Sequence, residues 1–139
     1  MASEQHDFIV ALIARKVRTY GFEIVYQDGR TQNTDVKKLE IPPKIIHHKP
    51  DIVGKRDETE FCIGEAKTKN DIFSERTKNQ IIDFLEIVKT DPSNRLIIGV
   101  PTSAIEDLKR VLIKLKVYEI KQLEIICVPE VLLPHEEEI

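Results

Sequence analysis

The chain has 139 residues, of which 41% are hydrophobic and 32% are charged, and its formal net charge is −3. This composition indicates a globular protein with a hydrophobic core and excludes an intrinsically disordered chain. No apolar stretch approaches the roughly 20 residues that a membrane span requires. The length predicts a single domain over residues 1–139.

The distribution of charge limits where a polyanion could bind. Basic and acidic residues are nearly balanced up to residue 78, whereas acidic residues exceed basic ones beyond it. The acidic tail at 135–139 is expected to be frayed. Any polyanion site is therefore expected in the first half of the chain. Residues 1–21 interleave apolar and basic side chains without the apolar core of a signal peptide, so we expect a cytoplasmic protein without membrane association.

Both cysteines occur in apolar, strand-like runs, Cys62 in EFCIGE and Cys127 in EIICVPE. Free cysteine is among the most frequently buried residue types. Two isolated cysteines are also too few for a disulfide framework or a zinc site. We therefore predict that both cysteines are reduced and buried.

The first predicted element is an amphipathic helix from about residue 3 to residue 20, with Ser3 as its N-cap and Gly21 at its C-terminal end. The residues assigned to its helical pattern are Phe8, Ala11, Leu12, Arg15 and Val17. The run FEIVYQ then predicts a strand that ends at the turn pair 28–29. Residues 29–44 are polar and end in prolines, which predicts a loop and a candidate specificity element.

A β-hairpin and a helix are predicted next. The runs PDIVGKRD and EFCIGEAK form the two strands, joined by a polar turn at 57–59. The helix begins at Asp71 or Ser74 and ends at Lys89, because apolar residues recur along it at spacings of three and four.

The C-terminal part of the chain predicts a strand, a helix and a last strand. RLIIGVP is nearly continuously apolar, which is typical of a strand covered on both faces. TSAIEDLKRVLIKLK predicts a helix with Thr102 or Ser103 as N-cap and Glu106 in its first turn, and LEIICVP predicts the last strand. The complete order, α-β-β-β-α-β followed by α-β, predicts an α/β fold with a mixed central sheet flanked by helices. Several α/β folds share this order, so it does not assign a function by itself.

Two carboxylates are predicted to face each other across the hairpin. Asp51 precedes the first strand and Glu65 closes the second, at equal distances from residue 58 in the turn. An antiparallel hairpin pairs positions that are equidistant from its turn, so these two residues should be cross-strand neighbours. Lys67 lies two positions beyond Glu65 and should point to the same face.

Paired carboxylates repel each other unless a cation lies between them. Their oxygens suit a hard divalent ion, Mg²⁺ or Mn²⁺, which retains water ligands and recruits phosphate oxygens. A neighbouring lysine can orient a metal-bound water or stabilise charge on a phosphate. The combination predicts phosphodiester hydrolysis. The alternative interpretation is an exposed salt-bridge ladder on an edge hairpin, with Lys67 opposite an acid.

Pro50-Asp51 followed by Glu65-Ala66-Lys67 resembles the PD-(D/E)xK signature of the restriction-endonuclease-like nuclease superfamily. The core order of that superfamily, α-β-β-β-α-β, matches the predicted elements over roughly residues 3–101. The resemblance implies that Asp51 and Glu65 bind the metal ion together with the backbone carbonyl of Ala66. It also implies that Lys67 positions the attacking water or stabilises the transition state.

The resemblance extends to the helices on either side of the hairpin. Gln80 is similar to a glutamine that branches of the family carry on the following helix, and Phe84 stands where the exonuclease branch usually has tyrosine. The family often adds an acid from the first helix, for which Glu4 and Asp7 are the candidates.

Basic residues near the signature are candidates for contact with nucleic-acid phosphates, the alternative being an ordinary solvated surface. They are Lys49, Lys69, Arg76 and Lys78, with Lys55 and Arg56 open to the same two interpretations. His47 and His48 are adjacent, so on an extended segment they would point to opposite faces and would not bind one ion together.

These observations predict a Mg²⁺- or Mn²⁺-dependent DNA endonuclease, and the resemblance implies products with 5′-phosphate and 3′-hydroxyl ends. A chain with one active site must dimerise to cut both strands, so we expect a homodimer that uses the helix at 102–116 or the last strand. The alternative is a catalytically silent nucleic-acid-binding module of the same fold, or a subunit of a larger DNA-processing complex. An interaction domain unrelated to nucleic acid is a third possibility.

Overall fold

The protein was analysed as a computed structural model, which describes residues 4–28 and 47–134. Over these residues the chain forms the following helices and strands: α1 Glu4–Thr19, β1 Glu23–Gln27, β2 Ile52–Arg56, β3 Glu60–Ala66, α2 Glu75–Val88, β4 Arg95–Pro101, α3 Ile105–Lys114 and β5 Leu123–Val128. Short 3₁₀ turns occupy Lys69–Asp71, Thr102–Ala104 and Glu130–Leu132. The order confirms the predicted α-β-β-β-α-β core followed by α-β.

The five described strands form one mixed sheet in the order β1-β2-β3-β4-β5. β1, β2 and β3 pair in antiparallel fashion, whereas β3, β4 and β5 pair in parallel. The parallel connections require crossovers, which α2 and α3 supply. The predicted mixed sheet flanked by helices is therefore confirmed.

The helices cover the two faces of the sheet and bury one hydrophobic cluster on each. α1 packs on one face around Ile9, Ile13 and Ile97. α2 and α3 pack on the other face around Phe84, Leu108 and Ile98. β4 lies between these layers and is buried from Leu96 to Pro101, as its continuous apolar run predicts.

α1 approaches the sheet closely because glycines face it. A Cβ atom at Gly64 would lie 2.6 Å from Ile13 Cγ2, and one at Gly99 would lie 2.7 Å from Ile9 Cγ2. Real Cβ atoms do not come this close to another carbon, so only glycine permits the observed contact at either position. This contact fixes the height of α1 above the hairpin that carries the predicted site.

The buried face of α1 differs from the predicted one. The structure buries Ile9, Val10, Ile13, Ala14 and Val17. Phe8 and Leu12 are half-buried and Arg15 is exposed. The glycines explain the difference, because they leave room for the branched side chains of Ile9 and Ile13. The helix therefore turns the face that carries these two residues towards the sheet.

Two local predictions in the C-terminal part are wrong. Neither Thr102 nor Ser103 caps α3, since a 3₁₀ turn includes both, and Ala104 precedes the helix without a side-chain cap. Cys127 is exposed rather than buried, because β5 lies at the edge of the described sheet, whereas Cys62 on β3 is buried as predicted. The helix α2 begins after Ser74, which was one of its two predicted starting points, and the Ser74 hydroxyl oxygen caps it by accepting a hydrogen bond from the Thr77 N–H.

Several expectations lie wholly or partly outside the described residues: the Ser3 cap, the loop at 29–44, the second residue of the turn pair at 28–29 and the tail at 135–139. The single domain over 1–139 stays a prediction. Among the helices of the described ranges, none is long and apolar enough to cross a bilayer.

Candidate metal centre and catalytic site

The hairpin brings Asp51 and Glu65 together as its symmetry predicts. The β2–β3 register pairs Arg56 with Glu60 at the turn and Ile52 with Gly64 at the other end, so the next opposed positions are 51 and 65. Both residues are buried: only 7% of the surface of Asp51 and 4% of the surface of Glu65 is exposed to solvent. Asp51 Oδ2 accepts a hydrogen bond of 2.8 Å from the Ala66 N–H. An exposed salt-bridge ladder does not describe this burial.

His6, from the first turn of α1, completes the group. Its Nε2 lies 3.2 Å from Asp51 Oδ2. One ligand atom each from His6, Asp51 and Glu65 lies within 4.8 Å of the others, an arrangement that could hold a metal ion. Among the described residues this is the only group of its kind. His6 was not among the residues predicted from the sequence.

The electrostatics of the two carboxylates favour a cation. Burial, and after it the adjacent Asp51 carboxylate, raises the pKa of Glu65 well above its ordinary value. Burial also opposes ionisation of Asp51, but hydrogen bonds from Glu65, His6 and the Ala66 N–H lower the pKa of Asp51. The hydrogen bond to Asp51 in turn raises the pKa of His6. A divalent cation between the two carboxylates would relieve the repulsion and burial that oppose ionisation of Glu65.

One atom of Glu65 shows how well a cation would fit. Glu65 Oε2 is buried and has no hydrogen-bond partner in the described part of the chain. A buried carboxylate oxygen without a partner is costly, so such atoms usually have a proton, a donor or a metal ion beside them. The donor set, two carboxylates and one imidazole, is suited to a divalent cation.

Lys67 and Gln80 adjoin the carboxylate pair. Side chains alternate along β3, so Glu65 and Lys67 point to the face that α2 covers. The Lys67 ammonium donates a hydrogen bond to Gln80 Oε1, and Gln80 is buried on α2. The Lys67 charge also acts on Glu65, opposing the rise in its pKa. The structure therefore brings Asp51, Glu65, Lys67 and Gln80 together, while their roles stay predictions.

The two acids proposed from the first helix lie outside the group of potential ligands. Glu4 is exposed. Asp7 is buried, and its Oδ1 lies 3.5 Å from His6 Nδ1 but forms no hydrogen bond within the described residues. From this helix, His6 belongs to the group of potential ligands, with Asp7 beside its ring, and a role for either acid stays a prediction.

The candidate phosphate contacts are distributed unevenly around the site. Arg76 is exposed, and its charge opposes the rise in the Glu65 pKa, as that of Lys67 does. Lys49 and Lys69 are also exposed, whereas Lys78 is half-buried and pairs with Glu75 at 3.3 Å. Of the two further residues, Lys55 lies over the Phe61 ring, and Arg56 pairs with Glu60 near the opposite end of the hairpin.

His47 and His48 do not point to opposite faces as the sequence predicted. His47 lies in a turn rather than in an extended segment, and both rings approach the same Asp83 carboxylate on α2. The distances from Asp83 Oδ2 are 3.6 Å to His47 Nδ1 and 2.7 Å to His48 Nδ1. Within the described ranges they do not form a metal-binding group.

No protein-family model and no curated protein sequence matches the chain. Among solved structures, a repair endonuclease from Pyrococcus abyssi is similar, with a TM-score of 0.47 and 15% sequence identity. The alignment covers 93% of this chain and 49% of that chain, so the chain spans about half the length of that protein. At this TM-score and identity the similarity assigns no function.

Proposed function

We propose that the protein is a metal-dependent DNA endonuclease of the PD-(D/E)xK superfamily, which it resembles in its signature residues. The observation that carries this proposal is the group formed by the half-buried His6 and the buried Asp51 and Glu65, whose potential ligand atoms lie within 4.8 Å of one another. A lysine held by a buried glutamine stands next to that group. These are the components that metal-assisted phosphodiester hydrolysis requires.

The ligand set favours Mn²⁺ over Mg²⁺, although both ions fit the proposal. Mg²⁺ binds almost entirely to oxygen, whereas the imidazole of His6 adds a nitrogen donor. First-row metals also bind mixed nitrogen and oxygen ligands more tightly than Mg²⁺ does. We therefore expect activity with both ions and a higher metal affinity for Mn²⁺.

Each residue of the site has a distinct task in this proposal. Asp51, Glu65 and the neutral imidazole of His6 hold the ion, with the backbone carbonyl of Ala66 as a further oxygen donor. The bound ion supplies an activated water and neutralises charge on the phosphate. The Ala66 N–H keeps one oxygen of Asp51 in place, so that the carboxylate is already oriented before the ion binds.

Lys67 is the group proposed to act on the reacting atoms. Its ammonium would orient the attacking water or stabilise the charge that develops on the phosphate oxygens. Gln80 fixes the position of the ammonium because its amide oxygen accepts a hydrogen bond from Nζ. A carboxylate at position 80 would neutralise that charge, whereas an amide leaves it available.

Cleavage of DNA substrates tests the proposal. The wild-type protein is incubated with linear, branched and single-stranded DNA in the presence of Mg²⁺ or Mn²⁺, beside Lys67→Ala and the control Lys109→Ala. Lys109 is a lysine on α3 that pairs with Glu106. We expect cleavage by wild type and Lys109→Ala, and a loss of about 10²-fold or more for Lys67→Ala.

The other outcomes separate the alternatives. Equal cleavage by wild type and Lys67→Ala, or cleavage by neither, would reject the enzymatic proposal. DNA binding without cleavage would instead favour a silent nucleic-acid-binding module or a subunit of a larger complex. Analysis of the cut ends then tests for the 5′-phosphate and 3′-hydroxyl that the resemblance implies.

A further inference from the structure

A second polar cluster lies beside the metal centre, where the segment before Asp51 meets α2. His48 Nδ1 and Asp83 Oδ2 are 2.7 Å apart, and the backbone N–H of His47 donates to the same oxygen at 3.4 Å. The His48 and Asp83 side chains are only 17% and 15% exposed. Because Asp83 engages Nδ1, the ring nitrogen left for a ligand is Nε2.

This cluster lines a cleft whose other side chains are also nitrogen-containing and basic. The cleft has a volume of about 490 Å³ and is lined by His47, His48, Lys49 and Arg76. None of the four lining residues is an acid. A concave surface with several N–H donors and positive charges suits the oxygens of a phosphate.

Two of the residues that line the cleft are linked to the carboxylate pair. Lys49 lies two residues before Asp51, and Arg76 is close enough to act on the Glu65 carboxylate. Arg76, Gln80 and Asp83 follow one another on α2 at spacings of four and three, so they share a face of the helix. On this face Gln80 holds Lys67 and Asp83 holds His48.

We infer that this cleft is a phosphate-binding subsite for the nucleic-acid strand, in which His48 Nε2 contacts a phosphate group next to the one that is cleaved. Lys49 and Arg76 add positive charge, and Asp83 is a positioning residue that acts through the His48 ring. The inference rests on the proposed function and extends it to a neighbouring phosphate. The metal ligands are not part of this subsite.

Asp83 gives this inference a sharp test because electrostatics and positioning predict opposite results. Asp83→Asn removes a negative charge beside a phosphate, so simple charge effects would tighten DNA binding. The positioning role predicts weaker binding, since the variant loses the charge-assisted hydrogen bond that orients His48. Glu86→Gln is the matched control, because it makes the same charge change at an exposed position of the same helix.

DNA affinity is measured by fluorescence anisotropy with a 3′-labelled oligonucleotide in Ca²⁺, and gels establish that the DNA stays intact. We expect His48→Ala and Asp83→Asn each to bind about tenfold more weakly, which is the loss typical of one charge-assisted hydrogen bond. Glu86→Gln should bind at least as tightly as wild type. The double variant His48→Ala/Asp83→Asn should bind no more weakly than His48→Ala, because Asp83 acts only through His48.

The source of the phosphate is tested on the same oligonucleotide with a 5′-phosphate or a 5′-hydroxyl. If the variants lose the same affinity for both oligonucleotides, the subsite binds an internal phosphodiester. If they lose affinity only for the 5′-phosphorylated oligonucleotide, the subsite binds the phosphate at a strand end. Either result supports the subsite.

Unchanged or tighter binding by Asp83→Asn, with an unaltered melting temperature, would overturn the inference. If His48→Ala fails to fold, His48→Gln takes its place. Cleavage by wild type together with unaffected binding by the variants rejects the subsite alone. If wild-type protein neither binds nor cleaves nucleic acid, the proposed function is rejected as well.

Discussion

Glu65 is buried beside Asp51, and two ionised carboxylates in such a place oppose folding unless a cation joins them. Burial and Asp51 raise the Glu65 pKa in the folded protein. A raised folded-state pKa stabilises the fold at pH values below the unfolded-state pKa, and this contribution is lost as the pH rises through the folded-state value. The pKa of Asp51 is lowered instead, so its ionised carboxylate stabilises the folded state at pH values above the unfolded-state pKa. This stabilisation is lost as the pH falls through the folded-state pKa.

Glu65→Gln should therefore stabilise the metal-free protein at pH 8 by about 1 kcal/mol, because it removes the buried charge while keeping the shape. The gain should shrink as the pH falls, since wild-type Glu65 then takes up a proton. Thermal unfolding in EDTA at several pH values measures this effect. The control Glu58→Gln, in the exposed turn of the same hairpin, should change stability by less than about 0.5 kcal/mol.

In the same assay, Mn²⁺ should raise the melting temperature of wild type and not that of Glu65→Gln, because the ion binds only the folded state. A metal-free Glu65→Gln protein that is less stable than wild type at pH 8 would contradict this account of the carboxylate pair.

His6→Ala should weaken Mn²⁺ binding by about 10- to 100-fold, since losses of this size are typical when the ligand environment of a metal is damaged. Isothermal titration calorimetry without DNA measures the affinity. His47→Ala is the control, because its side chain is 80% exposed and lies outside the ligand group. Equal Mn²⁺ affinities for His6→Ala and wild type would exclude His6 as a ligand.

At the level of elements, the site depends on where α1 sits. The helix reaches the carboxylate pair because Gly64 and Gly99 let Ile13 and Ile9 approach the sheet. His6 lies on the same stripe, three residues before Ile9 and seven before Ile13, so the contact that seats the helix also places the imidazole.

Gly64→Ala should destabilise the protein by about 1–3 kcal/mol, because the added methyl group overlaps Ile13 and lifts α1. It should also weaken Mn²⁺ binding by moving His6, although residue 64 is not a ligand. The double variant Gly64→Ala/Ile13→Ala removes the overlap and should recover part of the metal affinity. Chemical denaturation measures the stability and calorimetry measures the Mn²⁺ affinity. An unchanged Mn²⁺ affinity in Gly64→Ala would show that the position of α1 does not determine metal binding.

The sequence could predict those parts of the site that depend on local pairing. Asp51 and Glu65 follow from the symmetry of a short hairpin, and Lys67 follows from the alternation of side chains along a strand. His6 is 45 residues from Asp51, so its approach to the site depends on how the helix packs on the sheet. The pattern of Phe8, Leu12 and Arg15 predicted the wrong buried face for that helix. The glycines in CIGE and IIGV were the available signal, since glycine inside a strand marks close approach of another element.

For the molecule as a whole, the net charge of −3 means that the DNA affinity required by the proposed function would have to come from a local surface rather than from overall attraction. The cleft and Lys67 lie at the same end of the hairpin as the carboxylate pair. One such centre can attack one strand at a time, and cutting both strands together requires a second centre related by symmetry.

A homodimer is therefore expected, with twice the 16.0 kDa mass of one chain in size-exclusion chromatography with light scattering. Two variants distinguish the candidate surfaces. Ile113→Lys places charge on the exposed face of α3, where Ile113 is 60% exposed, and Cys127→Lys protects the edge strand β5. One of them should give a monomer that only nicks supercoiled plasmid. A monomeric wild type that linearises plasmid without a nicked intermediate would refute the expectation.

The close contact between α1 and the glycines has a consequence for how the gene tolerates mutation. Gly64 and Gly99 touch neither metal nor substrate in this proposal, yet any larger residue at either position displaces the helix that delivers His6. Saturation mutagenesis scored by cleavage should find these two positions nearly as intolerant as Asp51. Inactivating substitutions would thus occur at the two glycines beneath α1 as well as at the proposed catalytic residues.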